Sequence, residues 1–265
     1  TEEWRFMSNL KQVFENGKAF IAFLTAGDPY ADKPVDYILA MEEAGADLVE
    51  IGIPFSDPTA EGIVIQEASI RALRAGMTTD KAFGIVEKVR EKSQIPLVFM
   101  TYLNPVFHYG YEKFFARCEQ LGISGIIIPD MPYEEKGELD EIAKSHGVDV
   151  ISMIAPTSRQ RIQMIAKEAR GFIYVVSSMG VTGVRTNIET DIDAIVASIR
   201  EVTDVPAAVG FGISTPEQAV KMASASDGAI VGSAIVKIIE KYGDKADDAV
   251  REYVKSMKDA LKTLK

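Results

Sequence analysis

The stretch AAVGFGISTPEQAVKMASASDGAIVGSAIV, residues 207–236, contains two short apolar runs, each closing on glycine and each followed by a helical pattern. The first run ends Gly210-Phe211-Gly212-Ile213-Ser214, and Thr215-Pro216-Glu217-Gln218 opens the next helix; the second ends Val231-Gly232-Ser233 and runs straight into a helix. Six runs of the same kind precede them, near Ala19 (AFIAFLT), Leu48 (LVEIGI), Leu97 (LVFMTY), Gly125 (GIIIPD), Asp149 (DVISMI) and Phe172 (FIYVVS). Most are continuously apolar rather than alternating, as strands covered on both faces are. Amphipathic stretches such as 34–44, 79–92, 111–121, 133–146, 159–169, 191–201 and 216–223 fill the gaps. Eight strand–helix units predict a parallel (β/α)8 TIM barrel, read as one domain over residues 1–265. A doubly wound open sheet is the alternative, but its dinucleotide form wants a Gly-rich fingerprint after the first strand. That strand here runs into Thr25-Ala26-Gly27-Asp28-Pro29.

Outside the barrel units, Phe6, Leu10, Val13 and Phe14 predict an extra N-terminal helix beneath the barrel. Val250, Val254, Met257, Leu261 and Leu264 predict a last helix packed on its outside. The chain has 265 residues and a net charge of −10, with no Lys/Arg cluster, so nucleic acid and anionic lipid are poor partners. Its single cysteine, Cys118, excludes an intrachain disulfide, and with only His108 and His146 besides a structural Cys/His zinc site is not expected. No metal site is expected. The acidic start Thr1-Glu2-Glu3-Trp4 does not read as a signal peptide, and the expected location is the cytoplasm.

In a barrel of this type the active site lies at the C-terminal ends of the strands, with phosphate bound after strands seven and eight. Glycines there let backbone approach an anion, and helix N-termini offer free N–H groups; the same glycines could equally make only tight turns. Glu50 puts one carboxylate inside the apolar second strand, where burial is costly and raises its pKa. The loop Pro54-Phe55-Ser56-Asp57-Pro58-Thr59-Ala60-Glu61-Gly62 adds Asp57 and Glu61. The loop 177–187 has the glycines and small polar residues of a lid. No strand end carries a Schiff-base lysine, the histidines do not cluster, and no GxSxG or Walker loop occurs. A phosphate anchor and carboxylates remain, which points to proton-transfer chemistry on a phosphorylated substrate.

The segment LVEIGIPFSDPTAEGIVIQEASIRAL, residues 48–73, resembles the signature of the tryptophan synthase alpha chain family. So do Thr25-Ala26-Gly27-Asp28-Pro29, Gly180-Val181-Thr182-Gly183, Gly210-Phe211-Gly212-Ile213-Ser214 and Gly232-Ser233-Ala234-Ile235-Val236, in the family's order. The resemblance implies cleavage of indole-3-glycerol phosphate to indole and glyceraldehyde 3-phosphate. It also implies a beta chain partner in an α2β2 assembly, with indole channelled between sites and pyridoxal phosphate held by the partner rather than by this chain. Carried over by position, Glu50 is implied as the proton-transfer residue at indole C3. Glu61 stands where the family typically has an aspartate that accepts the indole N–H. Gly183, Phe211, Gly212, Gly232 and Ser233 are implied around the phosphate, Phe23, Met100, Ile127 and Tyr174 around the indole, and Thr182 in the lid. Asp57, Pro58, Asn104 and Pro132 are implied to face the partner. Two departures stand out: Glu61 is one methylene longer than aspartate, and Ile63 replaces a common proline. An isomerase on the same barrel, a non-catalytic scaffold and a stand-alone indole-producing lyase are the other readings.

Overall fold

A computed structural model of the protein describes residues 9–177 and 191–264. Its strands are β1 (Ala19–Thr25), β2 (Leu48–Gly52), β3 (Leu97–Met100), β4 (Ile123–Ile127), β5 (Asp149–Val150), β6 (Ser152–Ile154), β7 (Ile173–Val176), β8 (Ala207–Gly210) and β9 (Gly228–Val231). Every neighbouring pair is parallel, in the order β5-β4-β3-β2-β1-β9-β8-β7-β6. The two end strands are separated in the chain only by Ile151, whose N–H donates to Ile126 O at 2.8 Å. The sheet therefore closes on itself. The nine strands are the eight expected from the sequence, with the fifth divided at the residue where it leaves β4 and turns to β7.

The helices are α1 (Lys33–Glu43), α2 (Ile63–Arg74), α3 (Thr79–Arg90), α4 (Leu103–Tyr109), α5 (Tyr111–Gln120), α6 (Gly137–Ser145), α7 (Arg159–Lys167), α8 (Ile192–Arg200), α9 (Pro216–Ala225), α10 (Ser233–Tyr242) and α11 (Asp247–Leu261). They begin where local chemistry lets them. Thr78, Ser158 and Asp191 accept hydrogen bonds from the first turns of α3, α7 and α8, and Pro34 sits in the first turn of α1, each a favourable helix start. α2 and α4 are additional to the amphipathic stretches expected from sequence.

Successive side chains along a strand point to opposite faces, which divides the core in two. On β1, Phe20, Ala22 and Leu24 join the layer between sheet and helices, whereas Ile21 joins the barrel interior with Leu48, Val98, Ile127, Ile151, Phe172, Tyr174, Ala208 and Ile230. Phe23 belongs to a smaller cluster with Ile65, Ala68 and Val236. The predicted N-terminal helix is a tight 3-10 turn, Asn9–Phe14. Leu10 and Val13 are buried in the barrel interior, and the Phe14 ring lies 5.8 Å from that of Phe172; Phe6 lies outside the described residues. At the other end of the chain, α11 buries Val250, Val254, Met257 and Leu261 and packs on α1 and α9. Among the described residues no helix is long and apolar enough to cross a membrane.

Candidate active site

Inward-facing residues of β1, β2, β3, β7 and β9 meet the loops after β2, β8 and β9 around a cavity of about 370 Å³. Phe23, Glu50, Ile65, Met100, Tyr174, Phe211 and Ile230 form its body, with Ala60, Glu61 and Gly62 on one side. Phe23 and Glu50 stand side by side in the β1–β2 register. The Tyr174 and Phe211 rings meet edge to face at 6.3 Å. Gly210 is where Tyr174 needs room: a Cβ there would lie 2.3 Å from the tyrosine hydroxyl. An aromatic and aliphatic chamber with two carboxylates in its wall suits a flat apolar ring with one polar edge.

Both carboxylates are set apart electrostatically. Glu50 is 1% exposed, and its Oε1 has no hydrogen-bond partner; Glu61 Oε2 is likewise buried and unpartnered. Among the described residues no cation pairs with either group, so burial disfavours the charged forms. The Glu50 carboxyl is pushed up to about 8 and that of Glu61 to about 7, desolvation being the cause in each. At neutral pH Glu50 is held mainly as the acid, while Glu61 is poised between acid and carboxylate. Unpaired buried carboxylates cost stability, and groups perturbed in this way concentrate at functional sites.

Glu61 sits on a loop whose backbone is fixed on both sides of it. The N–H groups of Thr59 and Ala60 donate to Tyr102 Oη at 3.2 and 3.0 Å, and Gln66 Nε2 donates to Glu61 O at 2.7 Å. Tyr102 is fully buried and stacks near Phe55 at 5.4 Å. Tyr102 and Gln66 are thus positioning residues that sequence reasoning missed, since neither lies on the cavity wall. Tyr102→Phe removes the acceptor from two amides while leaving the ring in place. An unmade hydrogen bond in such a place costs about 1–3 kcal/mol. The expected result is a fall of about tenfold in kcat with a smaller change in KM, read by steady-state kinetics. Lower thermal stability with unchanged kcat would assign the hydroxyl to the fold alone.

The opposite end of the cavity is formed by Phe211, Gly212, Ile213, Ser214, Gly232, Ser233, Ala234 and Lys237. Phe211 and Gly212 have φ of +77° and +76°, and a left-handed phenylalanine is strained. Ser177 holds it, donating Oγ–H to Phe211 O at 2.8 Å. The two helix starts expected to bind anions differ. α9 is closed by its own capping box: the Thr215 side chain accepts from Gln218 N–H, and Gln218 Oε1 accepts from Ser214 and Thr215 N–H. α10 follows Gly232, which offers no cap, so the N–H groups of its first turn remain open to an anion. Of the two helix starts, that of α10 is the one left open to an anion, beside the Phe211–Gly212 turn.

Among the described residues, the remaining expected site residues do not line the cavity. Ile127 is fully buried in the interior cluster that packs Met100 and Met153, and it does not line the cavity. Thr182 and Gly183 lie outside the described residues. Asp57, Asn104 and Pro132 are exposed and Pro58 half-buried, on segments following β2, β3 and β4, hence on the same end of the barrel as the cavity. Leu103 N–H donates to Asp130 Oδ1 at 2.9 Å, tying two of those segments together. Ile63, 68% exposed, is the first residue of α2, a position that proline also suits. His146 lies between Glu119 at 2.7 Å and Glu112 at 3.0 Å, away from the cavity. Among the described residues no three His, Cys, Asp or Glu side chains group as a metal site.

Known proteins resemble the chain in sequence and in fold. The chain matches the family described as "Tryptophan synthase alpha chain" over residues 7–264. It is 51% identical to the tryptophan synthase alpha chain of Lactiplantibacillus plantarum, covering 96% of this chain and 97% of that one. Its fold superposes on the crystal structure of the tryptophan synthase alpha chain from Legionella pneumophila with a TM-score of 0.86 at 33% identity, covering 97% and 98%. A chain of the tryptophan synthase a2b2 complex from Pyrococcus furiosus gives a TM-score of 0.83 at 35% identity, covering 92% and 99%. Sequence and fold agree over nearly the whole length: the chain belongs to the tryptophan synthase alpha chain family.

Proposed function

We propose that the cavity cleaves indole-3-glycerol phosphate to indole and glyceraldehyde 3-phosphate, with Glu50 and Glu61 as the catalytic pair. The observation that carries this is the pair of unpartnered buried carboxylates in one apolar chamber whose far end is an open helix terminus. The indole ring lies among Phe23, Met100, Tyr174 and Ile230. The phosphate takes the N–H groups at Gly212, Gly232 and Ser233; the family resemblance adds Gly183 and the lid residue Thr182, which lie outside the described residues.

The protonated Glu50 gives its proton to indole C3. The ring becomes an iminium-like electron sink, and ionised Glu61 accepts the N1–H and stabilises the growing positive charge. The C3–glycerol carbon bond breaks, its electron pair restoring the aromatic ring. The adjacent hydroxyl becomes the aldehyde carbonyl of glyceraldehyde 3-phosphate, and its proton returns to the Glu50 carboxylate. The residue ends the cycle as it began. A dry site strengthens each of these interactions, and each positioned proton transfer contributes about 10²–10⁴-fold.

Residues 1–265 act as one barrel domain in the cytoplasm, with no cofactor of their own. The partner is a pyridoxal-phosphate-dependent beta chain in an α2β2 assembly. Asp57, Pro58, Asn104 and Pro132, which flank the cavity mouth, face that partner, and docking there favours the closed loops. The test is indole release from indole-3-glycerol phosphate by the pure chain, with and without a beta chain. Slow release that rises sharply with the partner is expected. Fast release without it would make the chain a stand-alone lyase, and no release in either case would overturn the reading.

A further inference from the structure

Lys237 is the single cation among the described residues lining the active cavity. It is on α10 four residues after Ser233, so the two side chains share one helix face with Cβ atoms about 5–6 Å apart. Lys237 is exposed and has no hydrogen bond or ion pair among the described residues. Its neighbours on the helix are committed elsewhere: Glu240 pairs with Arg71 at 3.0 Å, and Lys241 lies 4.8 Å over the Tyr242 ring. Among the described residues, nothing competes for the Lys237 ammonium.

A phosphate dianion entering this site meets the acidic side chain of Glu61 in the wall and a chain of net charge −10. The open α10 terminus offers roughly half a positive charge, less than a dianion requires. We propose that Lys237 is the charge partner of the substrate phosphate and sets the preference for a phosphorylated over an unphosphorylated glycerol tail. The lysine approaches from the solvent side of the phosphate while the backbone of Gly232 and Ser233 holds it from within. This rests on the reading of the cavity as an indole-3-glycerol phosphate site.

The experiment measures indole release by Lys237→Gln, Lys237→Arg and the parent chain, with the beta chain present, from about 0.01 M to about 1 M salt. Across that range the screening length falls from about 30 Å to about 3 Å. Lys237→Gln is expected to raise KM about tenfold at low salt, with most of the effect absent from kcat. The penalty shrinks as salt rises, and Lys237→Arg restores most of it. Binding of unphosphorylated indolylglycerol is expected to be equal in all three chains. An unchanged KM at low salt, or equal weakening of the unphosphorylated analogue, would overturn the proposal while leaving the lyase reading intact. Absence of indole release by the parent chain would instead overturn that reading.

Discussion

Glu50→Gln is expected to lower indole release by at least about 10³-fold with the barrel folded and substrate still bound. Glutamine keeps the shape and volume of the side chain but holds no proton that can reach C3 and return from the glycerol hydroxyl. The loss therefore falls in kcat rather than KM. The same variant has a second readout, independent of turnover. In the native chain Glu50 has no hydrogen-bond partner at Oε1, and burial lifts its carboxyl from 4.5 to about 8. The folded state thus retains a proton that the unfolded chain gives up above about 4.5. This group's contribution to stability is full below that pH and declines as pH rises toward about 8, by up to about 1.4 kcal/mol per pH unit. Removing the carboxyl removes that slope. Thermal denaturation at several pH values is expected to show Glu50→Gln gaining stability over the parent chain toward pH 8. Near-normal turnover, or a parallel stability profile, would sink the assignment.

The pH dependence of turnover follows from both carboxyls. In the proposed mechanism Glu61 is ionised to hold the indole N1–H, and Glu50 is protonated to give its proton to C3. With their carboxyls at about 7 and about 8, kcat/KM is highest between those values and falls on either side. The two limbs belong to the pair as a coupled system.

The barrel was legible because its eight apolar runs are spaced by helical patterns, and continuous apolar runs of that length arise where a strand is buried on both faces. Glu50 was legible for the same reason in reverse, as a charge where the pattern allows none. The spacing did not reveal the break at Ile151, which depends on which neighbour each half of the strand pairs with. Nor did it reveal that α9 caps itself through Gln218 while α10 does not. Both runs end in glycine and enter a helix, and only the side chains after the turn decide which terminus stays open. Ile127 shows the limit of position on a strand: it faces inward next to Met100 in the β3–β4 register, yet its neighbours cover it. Tyr102 and Gln66 act on Glu61 through backbone contacts, which leave no pattern in the residues themselves. In the sequence Lys237 reads as an ordinary exposed helix lysine, and its place four residues after the phosphate-end Ser233 is the one sign of its position.

Glu61→Ala is expected to reduce turnover by about 10²–10³-fold, since the charge on the indole nitrogen then develops against an apolar wall. The more informative change is Glu61→Asp, which installs the family's usual residue. On a mobile loop it would be harmless, because the backbone could move to bring the shorter carboxylate to the same place. Here the loop is held by Tyr102 through the N–H groups of Thr59 and Ala60, and by Gln66 through the carbonyl of Glu61 itself. With the backbone fixed, aspartate retracts the carboxylate by roughly one bond, and a displacement of about 1 Å at a reacting atom costs on the order of 10²-fold. Glu61→Asp is therefore expected to lose much of what Glu61→Ala loses. Tyr102→Phe, by freeing the loop, should return part of the activity of Glu61→Asp, and the double-mutant cycle measures that coupling. Full activity in Glu61→Asp alone would mean that the loop follows the carboxylate and that the two anchors do not set its position.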